Sequence, residues 1–340
     1  MKRQLRQLTL GITGTFLLLG LIACQSTSPA KKTKVRAAHS NWTEEHFQTA
    51  IVNIGLEKLG YEIAEPQEID YPAIYVSVAN GDLDYSTVNS ERAHQEFFAN
   101  AGGETKLKQV GVLTTPLVQG YQIDKKTADQ YKITNLGQLK DPKMAQLFDS
   151  DGNGKANLVG CNPGWFCEVI IDHHLKAYGL EDTVEHNRGQ YITLLADVIT
   201  RQQQSKSVLY YAFNPHWIST VLKPEQDVIW LEVPFTSLPE SQKNITEQDT
   251  SLAGKNIGFG IDRQRIFANK EFLAANPVAK RWFELVEIPS EDVNTESLYI
   301  KEGESTPEDI RRHAQEWVAN HQELFDSWVE EAQKAAGETN

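Results

Sequence analysis

The spacing of apolar positions switches between a period near 3.6 and a period near 2 along the chain, which predicts alternating helices and strands and hence an α/β class. Phe47, Ile51, Ile54 and Leu59 share a helical face that stops at Gly60, with Asn41 or Thr43 as cap and Asn41 and Glu44 at capping-box spacing. Trp42 sits in the loop at that helix's mouth. Residues 61–63 and 74–78 read as short strand or helix pieces separated by Pro66 and Pro72, and residues 81–88, 110–118, 120–123 and 208–213 read as strands. Helices are expected after Asn89 to His94, at 135–139, beyond Cys167 and over 191–201. A last long helix starts at Thr306-Pro307, with Ile310, Ala314, Trp317, Leu324 and Trp328 on one face and its tryptophans in the core. His94 and Phe213 fall in or beside loops at strand ends, where open α/β sheets bind ligands, although a surface histidine and a core aromatic would look the same.

One stretch concentrates the chemistry. Gly160-Cys161-Asn162-Pro163-Gly164-Trp165-Phe166-Cys167-Glu168 sets two cysteines, a turn, two aromatics and a helix start side by side. Val169, Ile170, His173, His174 and Ala177 continue as a helix toward Gly179, so Phe166 and Cys167 lie near a helix N-terminus whose free N–H groups attract anions. Trp165 adds a flat π face for a cationic or apolar group. A carboxylate at one point and a cation at the next describe a zwitterion. The same residues also fit a disulfide-stapled surface turn with a core Trp.

Composition narrows the partners. The chain has 340 residues, 40% hydrophobic and 23% charged, the make-up of an ordinary globular protein with room for more than one domain. Its formal charge is −13, and −16 without residues 1–23, which carry Lys2, Arg3 and Arg6 and no acid, so nucleic acid is not an expected partner. Those residues form a basic segment, then an apolar run shorter than the ~20 residues of a membrane span, so they read as an export signal. Leu21-Ile22-Ala23-Cys24 resembles a bacterial lipobox, which implies cleavage before Cys24 and lipidation of its thiol, and hence an extracytoplasmic protein anchored to a membrane. Residues 24–35 are polar and suit a flexible tether. Cys161 and Cys167 then remain, and outside the cytoplasm an even pair reads as a disulfide; the spacing is not the CxxC of a thiol oxidoreductase.

Other clusters carry less. Asp149 to Asn157 starts like a calcium loop, but Gly160 stands where the bidentate Glu should be, so an Asx-rich turn is the expectation. His173 and His174, with Asp172, are helix neighbours that point different ways and do not readily share one ion. No nucleophile–base pattern, phosphate loop or zinc spacing is present, so no enzyme activity, cofactor or metal is expected.

From about Asn41 to the C-terminal helix the chain resembles the glycine betaine/proline betaine-binding proteins of osmoprotectant ABC transporters. The resemblance rests on Thr43-Glu-Glu, Glu57-Lys-Leu-Gly-Tyr61, Gly120-Tyr121, the run from Asp124 to Asn135, Gly160-Cys-Asn-Pro-Gly-Trp165, and Asp227-Val228 with Trp230 and Val233-Pro234-Phe235. It implies a two-lobed, type II periplasmic-binding-protein fold, with residues 36–112 and 235–340 in one lobe, 113–234 in the other, and the ligand in the cleft between. It also implies a permease and an ATPase as partners. The family's carboxylate contacts fall at the backbone N–H groups of Phe166 and Cys167 and at His94. Its three cage tryptophans fall at Ser90, Trp165 and Phe213, so only Trp165 is retained.

Phe keeps a weaker π face and Ser has none. Three functions therefore stay open: a betaine receptor, a receptor for another zwitterion such as proline, ectoine or a choline-like compound, and an enzyme on the same scaffold. Trp42 stands where the family has an apolar residue; either it replaces the lost wall, giving a cage of Trp42, Trp165 and Phe213, or it belongs to the core and the ligand has changed.

Overall fold

The computed structural model describes residues 32–337. The expected signal segment, the lipobox ending at Cys24 and most of the expected tether lie outside the described residues. The tether's last residues do not behave as one: Lys34–Val35 pairs in parallel with Glu62–Ile63, and Val35 is fully buried.

A nine-stranded mixed sheet runs through the molecule. Its order from one edge is Gln67–Glu68, Ala37–His39, Tyr85–Ser90, Asp262–Asn269, Leu107–Asp124, Leu209–Asn214, Ala156–Val159 and Val184–Asn187, with Val228–Trp230 against the end of Leu107–Asp124. The 18-residue strand Leu107–Asp124 merges the two strands expected at 110–118 and 120–123. Its first part pairs antiparallel with Asp262–Asn269 and its last with Leu209–Asn214, so it is the spine joining the two halves of a two-lobed fold. Gly111 lets it pass: φ is +60°, and a Cβ there would stand 2.1 Å from the Phe283 carbonyl oxygen.

Apolar packing divides accordingly. One cluster gathers Val118, Tyr121, Leu158, Ile171, Leu195 and Tyr210 from the middle of the chain. A second joins Phe47, Ile51, Leu113 and Ile266 to Trp282, Ala314 and Phe325. Ile257 and Phe259 pack with the first cluster.

Several local expectations change. Tyr71–Asn80 is a helix, its proline in the first turn where no N–H is needed. The helix Thr43–Lys58 is capped by Trp42 without a side-chain bond, not by Asn41 or Thr43. Ser40 supplies the closure: its Oγ accepts from Trp42 N (3.1 Å), and its N and Oγ donate to Glu45 Oε2. The last helix breaks at His321 into Pro307–Asn320 and Gln322–Lys334. That break shifts the helical phase, turning Leu324 out to 48% exposure and Phe325 inward. In the acidic loop, Asp149 accepts from Gly152 and Gly154 N, which spends its carboxylate on turns.

Candidate ligand-binding site

The strand Ala156–Val159 runs into the cysteine-rich turn, and the helix Phe166–Ala177 follows it. Gly164 takes φ +85°, a left-handed turn that an L side chain would resist, and Trp165 then caps the helix without a side-chain bond. Among the described residues, nothing accepts from the N–H groups of Phe166 or Cys167, whereas Trp165 N donates to Asn162 O and Glu168 N to Trp165 O. The first turn therefore holds two adjacent donors at the positive end of a three-turn helix. Glu168 does not cancel that field alone, because Gly164 N (2.7 Å) and Arg188 Nε (2.9 Å) bind its two oxygens. The Cys161–Cys167 disulfide ties the first turn back to the strand end.

An aromatic cluster stands beside these donors. Trp42 reaches from the other half of the fold to Trp165, with ring centroids 6.0 Å apart in a T-shaped arrangement, and to Phe213 at 5.9 Å. Trp42 is half-buried, and it belongs to none of the apolar core clusters of the described residues. Separations of 4.5–7 Å are direct ring contact. Trp42 thus stands in contact with both other rings.

Two further residues complete the cluster. Tyr191, buried at the start of the helix Tyr191–Gln203, stacks on Phe213 at 5.5 Å and touches Trp165 at 5.9 Å. Its N donates to Asn162 Oδ1 (2.7 Å) and its hydroxyl to Tyr211 O (3.0 Å), so it is anchored at both ends. His216 lies 4.5 Å from Phe213 and stacks with Trp42 at 6.3 Å. Burial pushes the His216 imidazole down to about 3, so it is neutral at pH 7. Ile218 N points at Nδ1 (3.3 Å), which places the ring proton on Nε2. Sequence patterns mark neither residue: a Tyr opening a helix reads as core, and His216 lies outside the motifs.

The loop after Phe213 is braced across the two halves. Asn294 accepts from His216 N (2.6 Å) and donates to Asn214 Oδ1 (2.8 Å). Ser297 accepts from Trp217 N and donates to Glu44 Oε1 (2.5 Å), two residues after Trp42. One helix, Ser290–Glu302, therefore holds both the Trp42 and the Phe213 loops.

Ser90 and His94 do not join the rings. His94 packs among Tyr71 (4.4 Å), Phe97 (5.4 Å) and Tyr75 (6.0 Å), and burial lowers its pKa to about 4. Among the described residues no ring contact or hydrogen bond links it to Trp42, Trp165 or Phe213. Tyr71, Ser40 and Glu45 stand between: the Tyr71 hydroxyl accepts from Ser40 Oγ (3.3 Å) and donates to Glu45 Oε1 (2.9 Å). Ser90 ends the strand Tyr85–Ser90 opposite Gln264, and its hydroxyl has no hydrogen bond among the described residues.

Comparison with known proteins agrees with this architecture. Residues 33–320 match the family model described as the substrate binding domain of ABC-type glycine betaine transport system. The chain is 46% identical over 335 residues to the glycine betaine-binding periplasmic protein OusX of Dickeya dadantii, covering 98% of this chain and 99% of that protein. It is 47% identical over 305 residues to the glycine betaine/proline betaine-binding periplasmic protein of Escherichia coli, covering 89% and 91%. Among solved structures, ProX of Borrelia burgdorferi superposes with a TM-score of 0.62 at 18% identity, covering 89% and 99% of the two chains. Lactococcal OpuAC, closed on glycine betaine, gives 0.60 at 16% identity over 88% and 100%. At those identities the structures support the shared fold.

Proposed function

Because the chain belongs to the family of substrate-binding domains of ABC-type glycine betaine transport systems, we propose that it captures glycine betaine or proline betaine outside the cytoplasm and delivers it to the permease and ATPase of an importer. It binds and releases; it does no chemistry on the ligand.

The observation that carries this reading is the approach of Trp42 to Trp165 and Phe213. A quaternary ammonium has no N–H to donate, so it is recognised by desolvated π faces, each worth up to about 2 kcal/mol. The family's wall at Ser90 is gone, and Trp42 supplies another from the opposite side. Trp42 stands against both other rings; on binding, the ammonium replaces these contacts, and the three faces close around its methyl groups. The carboxylate lands on the Phe166 and Cys167 N–H groups, where the helix dipole favours it and Arg188 neutralises Glu168. In this reading His94, neutral at pH 7, packs behind Tyr71 rather than acting as the carboxylate's charged partner.

Cys24 supplies the anchor in the same proposal: lipidated after cleavage, it tethers the receptor to the membrane. Cys24→Ser should yield protein that lacks the lipid mass.

Titration calorimetry of the purified protein against glycine betaine, proline betaine, choline, proline and ectoine tests the ligand assignment. The two betaines should bind far more tightly than the rest. Proline or ectoine binding more tightly than glycine betaine would instead favour a pocket in which the unpartnered Ser90 hydroxyl accepts from a ligand N–H.

A further inference from the structure

Three side chains from separate elements meet at the base of the loop that carries Trp42. His39 ends the strand Ala37–His39, His46 lies in the first turns of the helix Thr43–Lys58, and Glu68 lies on the strand Gln67–Glu68, where sheet register sets it beside His39. One ligand atom from each lies within 4.8 Å of the other two. The imidazoles stack at 3.6 Å with 29° between their planes. His39 Nδ1 and His46 Nε2 both stand 2.9 Å from the Ser40 carbonyl oxygen, and His46 Nε2 is 3.6 Å from Glu68 Oε2.

Both nitrogens face the Ser40 carbonyl oxygen, whose two lone pairs can accept from both, so the two ring edges converge on one point. A cation at the same point would take both nitrogen lone pairs and the carboxylate at once. We propose that His39, His46 and Glu68 form a binding site for a late first-row divalent ion, zinc above all, with the Ser40 carbonyl close by and water completing the shell.

Two imidazoles and one carboxylate are a borderline-soft set that suits zinc, nickel or copper; calcium and magnesium want six or more oxygens, or an octahedral shell. Zinc bonds of about 2.0–2.2 Å require the ligand atoms to draw together. The movable members are the right ones: the side chains of His46 and Glu68 are 21% and 57% exposed and can rotate, while buried His39 stays fixed. No sequence spacing shows this site, because Glu68 reaches the histidines through strand pairing.

The test is calorimetric titration of tag-free, chelator-treated protein with zinc chloride, with magnesium and calcium chloride as comparisons, followed by native mass spectrometry. One zinc per chain and a raised Tm are expected, with no saturable uptake of magnesium or calcium. Outer-shell changes at metal sites typically cost about 10–100-fold in affinity, so His46→Gln and Glu68→Gln, which remove ligands, should each cost at least about tenfold. Both residues reach solvent, so their variants decide the matter even if His39→Gln fails to fold. His173→Gln, whose imidazole bonds Ser237 elsewhere, should bind zinc like the parent. Absence of saturable zinc binding, or unchanged affinity in His46→Gln and Glu68→Gln, would mean that the stacked histidines are packing groups only.

Discussion

Trp42 and Phe213 bring their ring centroids to 5.9 Å although they belong to different halves of the fold. Neither loop reaches the other unaided: Glu44 and Trp217 N share Ser297, and Asn214 and His216 N share Asn294. The aromatic contact is thus set by one helix that bonds both loops. That makes Trp42 a residue whose removal separates cleft function from core stability.

Trp42→Ala should weaken glycine betaine binding on the order of thirtyfold, the equivalent of one desolvated cation–π face of about 2 kcal/mol. Trp42→Phe should lose less. Because the ring lies outside the apolar core clusters, Tm should move little. Calorimetry with a parallel melt checks both, and unchanged affinity in Trp42→Ala would show that the ring is only a cover.

Replacing Cys161 and Cys167 together by Ser should lower affinity more than stability. The bridged cysteines are six positions apart, and closing so short a loop is worth about 2.4 kcal/mol on the chain-entropy model. The same bond holds the first turn that presents the Phe166 and Cys167 donors. Denaturant unfolding and ligand titration of the double variant give the two numbers. An affinity equal to that of the parent would assign the bridge to stability alone.

Gly160→Ala should destabilise the fold by about 1–3 kcal/mol, the usual cost of overpacking a filled site. A Cβ at Gly160 would stand 1.9 Å from His186 Nε2, and His186 cannot step aside freely because its Nδ1 is bonded to Asp172 (2.8 Å). Urea unfolding checks this, with Gly152→Ala, whose Cβ would meet nothing within 4 Å, isolating the strain of a left-handed φ.

His216 should make stability fall in acid. Its folded pKa of about 3 lies below its unfolded value of about 6.5, so the unfolded chain binds the proton first. The contribution is fully present above about pH 6.5 and is lost as pH falls toward 3. Buried Glu45, raised to about 7, acts in the opposite sense: its contribution is present below its unfolded pKa of about 4.5 and is lost as pH rises through 7. Unfolding free energies at pH 7 and pH 5 should therefore differ less in His216→Phe than in the parent, and Glu45→Gln should enlarge the difference. A His216→Phe protein with the parent's pH dependence would show that folding leaves the imidazole's pKa unshifted.

By itself the sequence determined the local parts. Periodicity placed the helices over Thr43–Lys58, Phe166–Ala177 and Tyr191–Gln203, and the Gly-Trp-Phe-Cys run located a helix end with free N–H groups, because capping, turn chemistry and free N–H groups depend on residues close in the chain. Family motifs supplied the two-lobed architecture that the sheet shows. The tertiary structure decided what depends on residues far apart. It merged two expected strands into Leu107–Asp124, which passes from pairing with Asp262–Asn269 as far as Leu117 to pairing with Leu209–Asn214 from Val118 onward, a change of partner that looks like a break in one dimension. It turned Leu324 outward, since a helix break at His321 resets a phase that periodicity assumes to be continuous. It brought Trp42 to Trp165 and Phe213, set Tyr191 and His216 around them, and moved His94 into a different set of rings. It also paired Glu68 with two histidines through strand register. Contacts of this kind follow from where packed elements come to rest, and no local spacing encodes that position.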